Sequence, residues 1–133
     1  MKEGGVRMSL HESGENYLET ILLLQRRNGF VRAVDVANEL GYTKASISRA
    51  MRILRENGYI LIAHSGQITL TEAGMDKACD IYERHCVITQ FLMQTLQLDM
   101  DAADADACRI EHVVSEETFE RIREYVKREA RLL

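Results

Sequence analysis

The chain contains no proline and only eight glycines in 133 residues. Few positions therefore interrupt a helix, and the long runs of good helix formers favour a mainly α protein with short connections. Its three cysteines, Cys79, Cys86 and Cys108, include no Cys-x-x-Cys pair. That odd number and wide spacing argue against a disulfide framework or a zinc ribbon and fit a reducing cytoplasm. No uncharged apolar run approaches the ~20 residues of a membrane span and no signal peptide is visible, so a soluble intracellular protein is expected. No glycine-rich elbow precedes Cys108, and a histidine one helical turn away at His112 offers no evident oxyanion hole, so a cysteine hydrolase, or any enzyme, is disfavoured.

Hydrophobic residues make up 46% of the chain, enough for a real core, and the formal net charge is −4. The charge is uneven: residues 1–66 carry nine Lys and Arg against seven Asp and Glu, and residues 67–133 carry eight against fourteen. Contact with nucleic acid therefore belongs to the first half.

Within that half, Val31 to Gly74 reads as a winged helix-turn-helix. Ala37 lets two helices approach, Gly41 permits a positive φ in the turn, and Thr43 caps a second helix. Ile47, Ala50, Met51 and Leu54 recur on one side of that helix, leaving Lys44, Ser48, Arg49, Arg52 and Arg55 mostly outward. Asn57-Gly58 ends it, and Tyr59–Ile62 and Gln67–Leu70 around Ser65-Gly66 form the two strands of a wing. Long basic and hydroxyl side chains suit phosphates and base edges in a major groove, so Thr43, Lys44, Ser46, Ser48, Arg49 and Arg52 are the candidate DNA contacts. The competing reading is a small α+β domain whose helix pair binds protein.

A helix from Ser9, with Glu12 closing a capping box, is expected to run to about Arg27 and places Asn16 and Glu19 on one face. Beyond the wing, Thr71 caps a helix reaching about Leu96. Cys79, Tyr82, Cys86, Phe91 and Met93 are its less polar residues, Asp76, Lys77, Asp80, Glu83 and Arg84 look solvated, and His85 is its one imidazole. After a short turn at Leu98 to Asp101 another helix follows, and a last one starts at Ser115 with an apolar stripe of Phe119, Ile122, Tyr125 and Val126. That stripe suggests a partner helix, most simply in a homodimer. The expected architecture is a winged helix-turn-helix DNA-binding domain over residues 1–74, followed by an all-helical dimerisation and metal-binding domain over residues 75–133.

Cys108, Glu111 and His112 stand at i, i+3 and i+4, which puts a thiolate, a carboxylate and an imidazole within one helical turn. The set suits Fe²⁺, Co²⁺, Ni²⁺ or Zn²⁺ better than Mg²⁺ or Ca²⁺, and Asp104, one turn earlier, could extend it. Spacing alone is equally compatible with an amphipathic helix carrying a buried cysteine and two solvated polar residues.

The order SGENYLETI, a winged helix, YERHCVITQFL and then DADACRIEHVVSEETFERI resembles the diphtheria-toxin-repressor and manganese-transport-regulator family of metal-dependent repressors, over about Ser13 to Lys127. The resemblance implies a principal metal site of Asn16, Cys108, Glu111 and His112, with Glu19 and His85 joining in the manganese-type arrangement. Iron-type members carry methionine at the position of Asn16, and manganese-type members carry aspartate there and glutamate at Cys108. Iron-type members also place glutamate where Thr89 stands and histidine where Asp104 stands. The short form without an SH3-like domain is expected. The implied function is an iron- or manganese-dependent, homodimeric transcriptional repressor that binds double-stranded operator DNA and controls metal homeostasis, with Co²⁺, Ni²⁺ or Zn²⁺ able to substitute in vitro. The alternative is a metal-independent winged-helix regulator that senses an organic ligand or thiol oxidation.

Overall fold

In the computed structural model, residues 13–132 are described, and they form six helices and three short strands. Two compact units divide between Cys79 and Asp80.

The first unit begins with helix α1 (Glu15–Asn28), whose end is set by Gly29 at φ 92° donating its N–H to Gln25 O at 2.8 Å. The expected start at Ser9 and the Glu12 capping box lie outside the described residues. After strand β1 (Val31–Arg32), helix α2 (Ala33–Leu40) closes on Gly41, which takes φ 73° and donates to Ala37 O. This left-handed turn, costly for a residue with a Cβ, redirects the chain into helix α3 (Lys44–Glu56). Thr43 caps α3 by accepting the Ser46 N–H at 3.1 Å, a contact whose loss costs about 1 kcal/mol in comparable caps. Ile47, Met51 and Leu54 are buried, whereas Ala50 is only half-buried.

Strands β2 (Ile60–Ile62) and β3 (Gln67–Leu70) form the wing, with Gly66 at φ 95° in its turn. The sheet has a third member that the sequence pattern did not reveal: β1 pairs antiparallel with β3, Val31 opposite Ile68, giving the order β1-β3-β2. Two residues are too few to display alternation, yet Val31 is fully buried and ties the start of α2 to the wing. The core of this unit takes Leu18, Ile21, Leu22 and Leu24 from α1, Val36 and Ala37 from α2, the buried face of α3, and Ile60 and Ile68 from the sheet.

Helix α4 (Glu72–Leu96) is capped by Thr71, whose hydroxyl accepts from Gly74 N at 3.0 Å and donates to Gly58 O at 2.6 Å. The unit boundary falls inside this helix. Its buried positions are Ala78, Ile81, Ile88 and Leu92, so the apolar phase differs from that expected: Cys79 and Cys86 are exposed and Tyr82 is half-buried. In the second unit α4 is followed by helix α5 (Met100–Ile110), capped by Asp99, and helix α6 (Glu116–Leu132), where the Ser115 hydroxyl accepts from Thr118 N. Ile88, Leu92, Ala103, Ala107 and Phe119 form its core.

Two guanidiniums lie over the Phe119 ring, Arg84 at 4.9 Å and Arg123 at 4.8 Å from its centroid. Arg84 is therefore not simply solvated as its charge suggested; it also donates to Val114 O at 2.9 Å and to Glu116 at 3.2 Å. A hydrogen bond to the Glu83 carboxylate raises the Arg123 pKa, against the smaller opposing effect of burial. No helix among the described residues is long and apolar enough to cross a membrane.

Candidate metal centre

The centre of the second unit follows from two adjacent lines on α5 and one on α4. Ala103, Ala107 and Glu111 recur every four residues, so they share a helix side; both alanines are fully buried and Glu111 is 1% exposed. Asp104 and Cys108 form the next line, one position round, exposed at the rim of the contact. On α4, His85 lies between buried Ile81 and Ile88, so helical phase carries its ring inward, leaving its side chain 12% exposed.

These lines meet at His85. Its Nδ1 is 2.8 Å from Glu111 Oε1, its Nε2 is 2.6 Å from Asp104 Oδ1, and Cys108 Sγ is 3.8 Å from Nδ1. Tyr82 stacks on the imidazole with 6.5 Å between centroids. Thr89, one turn along α4, uses its hydroxyl to donate to His85 O at 2.8 Å. Glu111 keeps helical dihedrals at the end of α5, but His112 lies just beyond in a turn, so the Cys108-Glu111-His112 run is helical only in its first part. His112 Nε2 is 3.3 Å from Glu111 Oε2, within ion-pair distance but outside hydrogen-bond geometry.

Glu111 Oε2 is thus a buried carboxylate oxygen with no hydrogen-bond partner among the described residues. Such an oxygen is costly unless something positive satisfies it, and a divalent cation does so well. The surrounding donors, imidazole, thiol and carboxylate, are those of a transition-metal site, so the residues present fit a bound metal.

Of the ligand candidates in the sequence, the second unit brings together His85, Cys108, Glu111 and His112. Asp104, which the sequence indicated only as an extension, belongs to the same cluster, and its signal was its position four residues before Cys108. Asn16 and Glu19 stand on α1 in the first unit; Glu19 is buried, and Asn16 accepts from the Thr20 hydroxyl through its main-chain oxygen. In that unit Lys44, Ser46, Ser48, Arg49 and Arg52 are all exposed on α3, whereas the Thr43 hydroxyl is occupied in the cap. That face carries no acidic residue before Glu56.

Two family models match the chain in succession. The model for the iron dependent repressor, N-terminal DNA binding domain, matches residues 9–67, and that for the iron dependent repressor, metal binding and dimerisation domain, matches residues 71–130. An HTH-type transcriptional regulator of Methanocaldococcus jannaschii is 31% identical over 120 residues, covering 90% of this chain and 96% of its relative. The transcriptional regulator MntR of Escherichia coli O6:H1 is 32% identical over 114 residues, 86% of this chain and 73% of MntR. A manganese-dependent transcriptional repressor solved in complex with manganese aligns with a TM-score of 0.78 at 27% identity, over 85% of this chain and 52% of the other, so this chain spans about half of that structure. With both halves matched in order, and with a relative 32% identical over 86% of the chain, the chain belongs to the iron-dependent repressor family of metal-dependent, DNA-binding transcriptional repressors.

Proposed function

We propose that this protein is a cytoplasmic homodimeric repressor that binds double-stranded operator DNA when iron or manganese is sufficient, with Asn16, Glu19, His85, Cys108, Glu111 and His112 as the ligand set. The observation that carries the reading is Glu111: a carboxylate 1% exposed, one oxygen on His85 and the other without a hydrogen bond. A bound divalent ion supplies compensating charge and directional bonds there. Glu111 orients the His85 ring, as an outer carboxylate commonly does for a ligating imidazole, while His112 and Cys108 present donors beside it.

The reading heads belong to the other unit. In a two-fold dimer two copies of α3 must be about 34–36 Å apart to enter successive major grooves. An ion held by this ligand set would select that spacing. To move the dimer from 1:99 to 99:1 in favour of the competent state, the ion must bind that state more tightly by about 5.5 kcal/mol, which several coordinate bonds can supply.

The test is an anaerobic titration of an operator fragment from the protein's own upstream region, first with chelator and then with Mn²⁺, Fe²⁺, Co²⁺ and Zn²⁺ at fixed salt. Binding should require an ion, and His112→Ala should abolish that dependence while the helical circular dichroism is retained. Tight binding in chelator, unaltered by any ion, would overturn the proposal.

A further inference from the structure

The turn from Glu111 to Ser115 presents His112, and its own side chains do little to fix it. Val113 is 69% exposed and Ser115 is exposed, so only Val114, half-buried, packs against the core. Hydrogen bonds tie the turn to its two flanking helices: Val113 N and Val114 N both donate to Ile110 O at the end of α5, and the Ser115 hydroxyl caps α6. The tie to α4 comes from Arg84, whose guanidinium donates to Val114 O at 2.9 Å across 30 positions of sequence. A charged donor on a part-buried carbonyl makes one of the stronger hydrogen bonds in a protein. Arg84 also immediately precedes His85, so the segment of α4 that carries one candidate ligand grips the turn that carries another. The Phe119 ring, 4.9 Å from the guanidinium, supports that pose, whereas Glu116 at 3.2 Å is largely exposed and adds little. Arg123 makes the reciprocal contact from α6, over the same ring to Glu83 on α4, but its partners are Glu83 and Glu120 rather than the turn.

We infer that Arg84 is a positioning residue for metal binding: by holding the Val114 carbonyl it fixes where Glu111 and His112 stand relative to His85. This deepens the metal-dependent reading above and rests on it. A guanidinium has donors only, so Arg84 is not itself a ligand and acts through the turn. Without it the turn would have to be ordered when an ion binds, and that cost appears as weaker affinity.

Anaerobic Co²⁺ titration of the full chain tests this, because the visible ligand-field bands of the bound ion report both affinity and coordination geometry. The proteins to compare are the unaltered chain, Arg84→Met, Arg84→Lys and Arg123→Met. Each methionine variant keeps an apolar stem near Phe119 and removes one guanidinium–glutamate contact across α4 and α6. A merely structural role would therefore lower the melting temperature of both and leave Co²⁺ binding alike in both. Positioning predicts that Arg84→Met binds Co²⁺ about tenfold more weakly and with altered bands, that Arg84→Lys, which keeps the charge but not the planar fork, lies between, and that Arg123→Met matches the unaltered protein. In the metal-free protein the amide hydrogens of Val113 and Val114 should exchange faster in Arg84→Met and not in Arg123→Met. Should Arg84→Met not fold by circular dichroism, Arg84→Lys decides, and Co²⁺ affinity equal to that of the unaltered protein would count against the role. Equal losses in the two methionine variants would overturn it as well. Normal Co²⁺ binding that Arg84→Met leaves unchanged would overturn the positioning role alone, whereas an unaltered protein that binds no ion would overturn the metal-dependent reading and this inference with it.

Discussion

Gly74 occupies the first turn of α4, where alanine would ordinarily be better by about 1 kcal/mol. The local backbone reverses that preference. A Cβ at Gly74 would stand 2.0 Å from Tyr59 O and 3.3 Å from a Leu70 methyl, so helix and wing would have to separate. Gly74→Ala is therefore expected to destabilise the protein by about 1–3 kcal/mol, seen as a lower melting temperature, and an unchanged or raised value would refute the close approach. Nothing in the sequence distinguishes this glycine from a poor helix former, because the atom it avoids is fifteen residues away. Arg84 is a similar case. Its charge reads as solvated, and only tertiary structure supplies the Phe119 ring and the Val114 carbonyl that hold it. Cys108, Glu111 and His112 were legible only as a cluster of donors within about one turn: their spacing left an ordinary amphipathic helix equally open, and the family resemblance singled them out as candidate ligands.

At the scale of elements, the helix-turn-helix was readable because each local signal is short-range: Gly41 for the turn, Thr43 for the cap, Ile47, Met51 and Leu54 for the buried side. The outer face of α3 then presents Lys44, Arg49 and Arg52. If Arg52 meets a DNA phosphate, Arg52→Ala should weaken operator binding and reduce the slope of log affinity against log salt by about 0.9. An unchanged slope with relaxed sequence preference would move Arg52 to a base edge instead. The phase of α4 was less legible. Residue type alone made Cys79 and Cys86 candidates for its apolar side, whereas Ala78, Ile81, Ile88 and Leu92 take that place and carry His85 with them. Strand β1 escaped because two residues have no period, and its partner β3 lies more than thirty residues further on.

For the molecule as a whole, the second unit leaves Phe91, Ile122 and Tyr125 half-buried around an open groove of about 310 Å³, with Phe91 and Tyr125 in edge contact at 5.5 Å. A self-associating chain would cover such a surface. If the protein is the proposed homodimer and this face is its contact, Ile122→Asp should shift it toward monomer in sedimentation and weaken metal-dependent operator binding, because two half-sites are then engaged separately; an unchanged mass would remove this face from any self-association. The paired lines of α5 bear on a different property, the tolerance of the chain to gain or loss of residues. Helix geometry turns about 100° per residue, and the line Ala103-Ala107 is only one step from Asp104-Cys108. With one residue inserted directly after Asp104, Asp104 takes the place of Ala103 if the later part of the helix stays seated. If the earlier part stays seated, Asp106 takes the place of Ala107. Either slip drives a carboxylate between α4 and α5, so this segment should tolerate substitutions on its exposed line far better than such an insertion.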